Sequence, residues 1–232
     1  MTSLKRILFV LTLLTQVPAV AQYHKDAGAW LGASVSYPLS KKLELGIAPE
    51  CRLDENMSRV RGLFADVGGK YKLTDFLSVV AEYRGGIRRS NELYTGRHRL
   101  SIGLALKYDW HDFTFTSLTR NQVAPSLASG DGDVDVQSTI RQRLSVKYKG
   151  LKKIDLSYSY EWFLDGYTRS FTNWRTVLSA DYKLSKRKFI SVGYMIQQDR
   201  SSGDLDFVLQ ASYKWELKSG RKKDQTKSPS QP

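Results

Sequence analysis

Cysteine and histidine are the scarcest chemically reactive residues in this sequence. Its 232 residues include one cysteine, Cys51, and three histidines, at positions 24, 98 and 111. One cysteine cannot form an intramolecular disulfide, and no nucleophile-elbow or paired-carboxylate motif is present. The sequence therefore predicts no enzymatic activity, no metal site and no cofactor.

Long apolar runs are also absent after the N-terminus, which excludes a bundle of membrane-spanning helices. The N-terminus has Lys5 and Arg6, then an apolar run over 7–14, then the small residues Ala19 and Ala21. This order is typical of a secretory signal peptide. The run of eight residues cannot span a bilayer that requires about 20, so we predict export with cleavage after Ala21.

Apolar and polar residues alternate, with a period of two, along much of the sequence. Near the C-terminus, apolar Leu209, Tyr213 and Trp215 alternate with polar Ser212 and Lys214. Such alternation is the pattern of a strand with one polar face, and it contradicts a helical stripe. Segments of this kind predict strands at about 27–37, 42–53, 61–72, 76–88, 99–108, 112–123, 140–148, 153–164, 173–184, 188–198 and 207–217.

The predicted connections alternate in length. Short ones lie near 38–41, 74–75, 111, 150–152 and 185–187, and longer ones near 54–60, 89–96, 124–137, 165–172 and 199–205. Outer-membrane barrels have short periplasmic turns and longer external loops. We therefore predict an all-β fold in which residues 22–217 form a closed, up-and-down antiparallel transmembrane β-barrel of about 10–12 strands.

The predicted strand number raises a difficulty. Bacterial single-chain barrels have an even number of strands, so eleven segments indicate a missed strand, near 22–30 or 124–137, or an early segment outside the barrel. The alternation of short and long connections also places the start of the first strand on the outer side of the membrane. Pro49 cannot donate to a ladder, and we expect a β-bulge there. A secreted lipocalin-like carrier is the alternative.

Aromatic residues recur at one end of the predicted strands. They lie on the apolar face beside a short turn or at the end of the last strand, 33 to 40 residues apart, with one hairpin in each interval. At a bilayer interface, an aromatic ring contacts acyl chains while its hydroxyl or N–H group reaches the headgroups. We predict an aromatic girdle formed by Tyr37, Tyr71, Tyr108, Tyr148, Tyr182 and Trp215.

The polar faces of the strands carry many charges, which a membrane barrel would place in its lumen. A soluble barrel of this size would place apolar residues inside instead. The lumenal charges could form a path for an anionic solute or a paired network that fills the barrel. We favour the paired network, because buried charges require partners. The predicted lumenal set is Arg84, Arg99, Arg141, Arg143, Arg175, Glu82, Asp155, Glu161 and Asp181.

A lipid-modifying outer-membrane enzyme is the alternative activity. His98 shares the parity of Leu100, so we expect it to face lipid, and the residue two positions after it is not a serine. Cys51 shares the parity of Ile47 and is also expected to face lipid. The acidic segment 131–135 lacks the glycine and glutamate of a calcium-binding loop, which favours an acidic loop tip without a metal.

Several short motifs occur in a recognisable order. They are Tyr37-Pro38-Leu39-Ser40, Glu50-Cys51-Arg52, Phe64-Ala65-Asp66, Arg97-His98-Arg99-Leu100, Asn173-Trp174-Arg175 and Asp181-Tyr182-Lys183-Leu184. Their order resembles an uncharacterised family of outer-membrane barrel-like proteins, domain of unknown function 2490, over about 28–217. The resemblance implies a fold and a location. It transfers no catalytic residue, because the family has no established activity.

These observations predict where the protein is found and what surrounds it. A cleaved signal peptide, 1–21, would direct the chain to the cell outer membrane. The net charge of +13 suits lipopolysaccharide phosphates, so we expect outer-membrane lipids, lipopolysaccharide and the barrel-assembly machinery as partners, and no nucleic acid. Residues 218–232 are basic and poor in apolar side chains, which predicts a disordered tail. The predicted role is a structural barrel or a narrow conduit for small solutes or ions.

Overall fold

The computed structural model describes residues 25–90, 93–127, 134–200 and 203–218, which form one closed barrel of eleven strands. The predicted signal peptide and all but the first residue of the predicted tail lie outside the described residues. The all-β prediction is confirmed. The strands are β1 Lys25–Pro38, β2 Leu43–Asp54, β3 Arg59–Lys72, β4 Leu77–Ser90, β5 Leu93–Trp110, β6 Phe113–Leu127, β7 Val134–Tyr148, β8 Ile154–Asp165, β9 Phe171–Ser185, β10 Lys188–Asp199 and β11 Leu205–Glu216.

The barrel closes through a parallel pair. β1 pairs with β11 in parallel over twelve positions, from Lys25 opposite Leu205 to Ser36 opposite Glu216. All other neighbouring strands pair antiparallel. In an up-and-down barrel with an odd number of strands, the first and last strands run in the same direction, so their pairing must be parallel. The predicted closed, up-and-down barrel of about 10–12 strands is confirmed, with antiparallel pairing at every junction except this parallel one.

The two ends of the barrel carry different connections. We call the end where β1 begins the first rim and the end where β11 ends the second rim. Connections at the first rim span 55–58, 91–92, 128–133, 166–170 and 200–204, and those at the second rim span 39–42, 73–76, 111–112, 149–153 and 186–187. The two sets overlap in length, because several strands continue as paired hairpins into the predicted loops. The predicted alternation of short and long connections is therefore wrong.

Pro49 lies within β2 without a bulge. The register between β1 and β2 is the same on both sides of Pro49, although the ladder is interrupted there. The interruption follows from the missing N–H of proline. The predicted bulge at Pro49 is wrong, and the irregularity of this strand lies between Arg52 and Leu53, where β2 pairs with β3.

The outer wall of the barrel is apolar and the lumen is polar. On β5, Leu100 and Ile102 point outward and are 62% and 61% exposed. Inward-pointing Arg141 and Glu161 are 5% and 4% exposed. This polarity is the reverse of that of a soluble barrel and confirms the predicted orientation of the two faces. No helix in the described part of the chain is long and apolar enough to cross a membrane.

Candidate functional site

The candidate site is a chamber of about 730 Å³ in the lumen. It extends from the strand ends at the first rim to about the middle of the barrel, where Ser212 and Arg143 line it. Its lining includes ten arginines and six carboxylates and no lysine. The arginines are Arg52, Arg61, Arg84, Arg88, Arg97, Arg99, Arg120, Arg141, Arg143 and Arg175.

One group of paired charges lies on β2, β3 and β4. Arg84 forms a two-pronged interaction with Asp66, with N–O distances of 2.6 and 2.5 Å. Arg52 pairs with Glu50 at 2.7 Å. The Arg52 guanidinium also lies 4.9 Å from the centre of the Phe64 ring, and that of Arg84 lies 5.4 Å from it. Two cations therefore flank one aromatic ring and are held by carboxylates beside it.

A second group of the same kind lies on β7, β8 and β9. Glu161 accepts hydrogen bonds from Arg141 at 2.8 Å and from Arg175 at 2.5 Å. The two guanidinium groups lie 4.7 and 5.2 Å from the centre of the Phe163 ring. Glu161 therefore holds both guanidinium groups, one on each oxygen, and the cluster has one more cation than carboxylate.

The two groups face each other across the lumen. Their central strands, β3 and β8, are five positions apart in a ring of eleven. In both strands a phenylalanine and a carboxylate are two residues apart, which places them on one face: Phe64 with Asp66, and Phe163 with Glu161. The phenylalanine is nearer the first rim in each case, because β3 runs away from that rim and β8 runs toward it. The two arginine–phenylalanine clusters therefore lie on opposite sides of the chamber.

The wall between these groups, on β5, β6 and β7, has an excess of positive charge. Arg99 and Arg120 both approach one oxygen of Glu82, at 3.8 and 3.5 Å. Arg143 has no carboxylate within ion-pair distance in the described part of the chain; its first charged neighbours are Glu161, opposite it on β8, and Arg120. We call Arg99, Arg120, Arg143 and Glu82 the arginine wall. Three cations share one carboxylate here, so the network is not fully paired.

The remaining side of the chamber, on β10 and β11, has no arginine in its lining. Gln197 and the buried Met195 line it on β10, and Val208 and Gln210 line it on β11, with the carboxylates Asp199 and Asp206 nearer the first rim. Solutes in the chamber would therefore pass between a cationic wall and a wall whose only lining charges are carboxylates. The electrostatic potential therefore differs between the two sides of the chamber.

Two residues of the predicted lumenal set lie outside the chamber. Asp155 and Asp181 are buried near the second rim, below the chamber, and their partners are lysines. Asp181 accepts hydrogen bonds from Lys147 at 2.7 Å and Lys214 at 2.8 Å. The expectation that these carboxylates face the arginines is wrong. They form a separate cluster that links β7, β8, β9 and β11, because their positions along the strands are about six residues nearer the second rim.

Several chamber residues were missing from the predicted set. Arg120, the most important of them, belongs to β6, whose outward face is polar and gives no clear alternation. Arg61, Arg88 and Arg97 lie in or beside predicted loops that the structure shows as strand. Glu50 lies in the predicted strand 42–53, directly after Pro49, a residue that weakens the assignment of this segment as a strand.

The six predicted girdle residues lie on the outer wall near the second rim. Tyr108 pairs with Phe115 and Tyr148 with Phe113, each close to the turn at 111–112. Tyr182 pairs with Ile190. A second aromatic set lies on the outer wall toward the first rim and was not predicted. It includes Tyr94, Tyr160, Trp162, Trp174, Tyr194 and Phe207.

The predicted lipid-facing residues His98 and Cys51 both lie on the outer wall. His98 Nδ1 is 2.6 Å from the Tyr83 hydroxyl, and Cys51 lies between the exposed Leu31 and Leu63. The first three residues of the acidic segment 131–135 lie outside the described residues. Among the residues that the structure describes, no three His, Cys, Asp or Glu side chains are grouped to hold a metal ion.

Solved structures share this fold. The NanC porin matches with a TM-score of 0.55 and 11% identity, over 83% of this chain and 99% of that chain. An anion-selective porin from Comamonas acidovorans matches with a TM-score of 0.38 and 13% identity, over 78% of this chain and 55% of that chain. The likeness to the NanC porin shows a porin-like barrel. No curated protein matches the chain in sequence.

The family relationship is clear from the sequence match. Residues 27–208 match the family described as protein of unknown function DUF2490. This range covers nine of the eleven strands entirely, nearly all of β1 and part of β11. The resemblance predicted from the order of short motifs is confirmed, and the chain belongs to the DUF2490 family.

Proposed function

We propose that this protein is a non-enzymatic outer-membrane channel for small anionic solutes. The observation that carries the proposal is the imbalance of ten arginines and six carboxylates around an open chamber. A cavity lined by an excess of one charge attracts counter-ions of the opposite sign. The chamber is therefore suited to anions and unfavourable for cations.

The outer wall supports insertion into a membrane. Leucine, isoleucine and tyrosine side chains are exposed around it, and strands of 12 to 18 residues exceed the 9–11 that a tilted strand needs to cross a bilayer. Aromatic residues border the apolar band toward both rims, as in outer-membrane barrels. We infer an outer-membrane location, with lipopolysaccharide as a neighbour of the barrel and export by a signal peptide in 1–21.

The interior does not favour the two alternatives. A lipocalin-like carrier would need an apolar interior, whereas this chamber is lined by charged groups. A lipid-modifying enzyme would need a nucleophile beside His98, whose described ring partner is Tyr83. A tyrosine held by a base can act as a nucleophile when a third group orients the base, but among the described residues no hydrogen bond to the other ring nitrogen of His98 orients its ring.

Ion selectivity in planar bilayers tests the proposal. With unequal KCl on the two sides, we expect a reversal potential that indicates preference for chloride. The double variant R120Q/R143Q should reduce that preference, because it removes two lumenal charges. Arg59→Gln is the control, since Arg59 is 41% exposed and does not line the chamber. Cation preference, or absence of conductance from correctly folded protein, would contradict the proposal.

A further inference from the structure

We propose that the arginine wall binds one dianionic oxyanion, such as hydrogen phosphate or a phosphate monoester. This inference rests on the proposed function for access to the site but not for its chemistry. Three arginines and one glutamate give this wall a charge of +2, if all four groups are ionised. A dianion would neutralise it.

Donor geometry supports the same ligand. Both Arg99 and Arg120 bring a terminal nitrogen within 4 Å of the same Glu82 oxygen, so their guanidinium groups lie side by side. Neither reaches the short distance typical of charge-assisted hydrogen bonds. In addition, Nε of Arg99, Nε of Arg120 and the Gln122 amide nitrogen are buried with no hydrogen-bond partner in the described structure. Guanidinium forks match the geometry of phosphate oxygens.

Equilibrium binding of inorganic phosphate tests the site without any need for conduction. Isothermal titration calorimetry of the folded protein in detergent should show one saturable site. Arg120→Gln and Arg143→Gln should each weaken binding roughly tenfold or more, as expected for a lost hydrogen bond between charged groups. Arg143→Lys should retain part of the affinity.

The control is Arg52→Gln, which removes a lumenal charge that is already paired with Glu50 at 2.7 Å. It should weaken phosphate binding much less than Arg143→Gln. Equal losses would mean that phosphate responds only to the overall lumenal charge, and no saturable binding would overturn the site. Either result leaves the chloride preference of the proposed channel unaffected, so the two proposals fail separately.

A different observation, on the outer wall, carries a second inference. The outward face of β6 and the neighbouring part of β7 are polar where the rest of the wall is apolar. Thr119 donates a hydrogen bond to the Gln142 amide oxygen, and the Gln142 amide nitrogen donates to Ser117 at 2.8 Å. We call Ser117, Thr119, Asn121 and Gln142 the outer polar patch.

The depth of this patch makes it unusual. Thr119 is four residues from Phe115, which pairs with the girdle residue Tyr108. At about 3.4 Å per residue, Thr119 lies about 14 Å along the tilted strand from the girdle. That distance places the patch near the middle of an apolar band about 25 Å tall. Acyl chains cannot supply hydrogen bonds to amide and hydroxyl groups at that depth.

We infer that the outer polar patch is the contact between two copies of this chain in the membrane. Its amide and hydroxyl groups can both donate and accept, so the patch is complementary to itself about a two-fold axis. Hydrogen bonds between side chains are a known source of association within membranes. A second copy is also inserted at the same depth and in the same orientation, so it presents the same groups at the right level.

Cross-linking in lipid bilayers tests this contact. In a Cys51→Ser background, Asn121→Cys should form a disulfide-linked dimer on oxidation. Val192→Cys is the control, because Val192 is also outward-facing, is 55% exposed and lies on β10, away from the patch. In detergent, the double variant T119V/Q142L should shift the sedimenting species toward monomer. Equal cross-linking at both positions, or a monomeric wild-type protein, would overturn the inference.

Discussion

Gly103 lies directly against Arg120, its partner across β5 and β6. A Cβ atom at Gly103 would lie nearest the Thr119 carbonyl oxygen, and 2.8 Å from Arg120 Cγ and 3.1 Å from its Cα. The missing side chain leaves room for Arg120 to cross β5 and reach Glu82 on β4, where its Nη1 is 3.5 Å from Oε1. The glycine on β5 therefore allows Arg120 of β6 to reach Glu82 of β4 within the arginine wall.

Replacement of this glycine should destabilise the barrel. Gly103→Ala places a methyl group closer to Arg120 than side chains tolerate, and overpacking of this kind costs about 1–3 kcal/mol. Urea unfolding from lipid vesicles measures the effect. Gly46→Ala is the matched control, because the nearest atom to its added Cβ is 3.4 Å away. Equal stability of the two variants would contradict the role assigned to Gly103.

The arginine wall also shows what the sequence could not predict. Alternation assigns a strand's faces only where one face is apolar. In β6 the outward positions are Ser117, Thr119 and Asn121, while Leu118 points into the lumen. Arg120 therefore had no apolar neighbours to define its direction. The polar outer patch and the missed arginine have the same cause.

The regular strands were predictable because lipid imposes a single rule on them. Residues such as Leu156, Leu178 and Leu209 all face outward, so their parity fixed the direction of Glu161 and Arg175 correctly. Connection lengths follow no such rule. The pairing of β4 with β5 extends as far as Ser90 and Leu93, well into the predicted loop, since backbone pairing is favourable without an apolar face. Contacts across the lumen depend on how far along the barrel axis each residue lies, and the alternation of polar and apolar residues does not give that position.

Glu161 should be the most sensitive carboxylate of the lumen. Glu161→Gln leaves Arg141 and Arg175 buried without a charged partner, and such a loss costs about 3–5 kcal/mol. The matched control is Glu50→Gln, which removes the partner of a single, more exposed arginine, Arg52, while Arg84 keeps Asp66. Urea unfolding should therefore show a much larger loss of stability for Glu161→Gln. A smaller loss than for Glu50→Gln would show that this cluster does not stabilise the barrel.

Tryptophan fluorescence should separate the two faces of the barrel. Two proteins are compared, each retaining one of the five tryptophans and carrying phenylalanine at the other four positions. Trp215 is 41% exposed on the outer wall, so lipids brominated near the headgroup should quench it. Trp30 lies in the lumen with the Arg52 guanidinium 3.7 Å from its ring, and it should resist quenching. Similar quenching of both would contradict the assignment of the faces and of the girdle.

The parallel seam can be tested by a disulfide between its two strands. Ser36 and Glu216 are directly opposite in β1 and β11, which places their Cα atoms about 5 Å apart. That separation lies within the usual range for a disulfide. In a Cys51→Ser background, oxidised S36C/E216C protein should therefore contain a covalent loop from β1 to β11 and migrate anomalously on a gel after heat denaturation.

The control for the seam is S34C/E216C, in which the two positions are offset by two residues along the strands. Its Cα atoms are too far apart for a disulfide without movement of the backbone. A barrel closed by a twelfth strand between β1 and β11 would separate Ser36 from Glu216 by two strand spacings, about 9.6 Å. Cross-linking of the control but not of the direct pair, or of neither, would mean that β1 and β11 do not meet in this register.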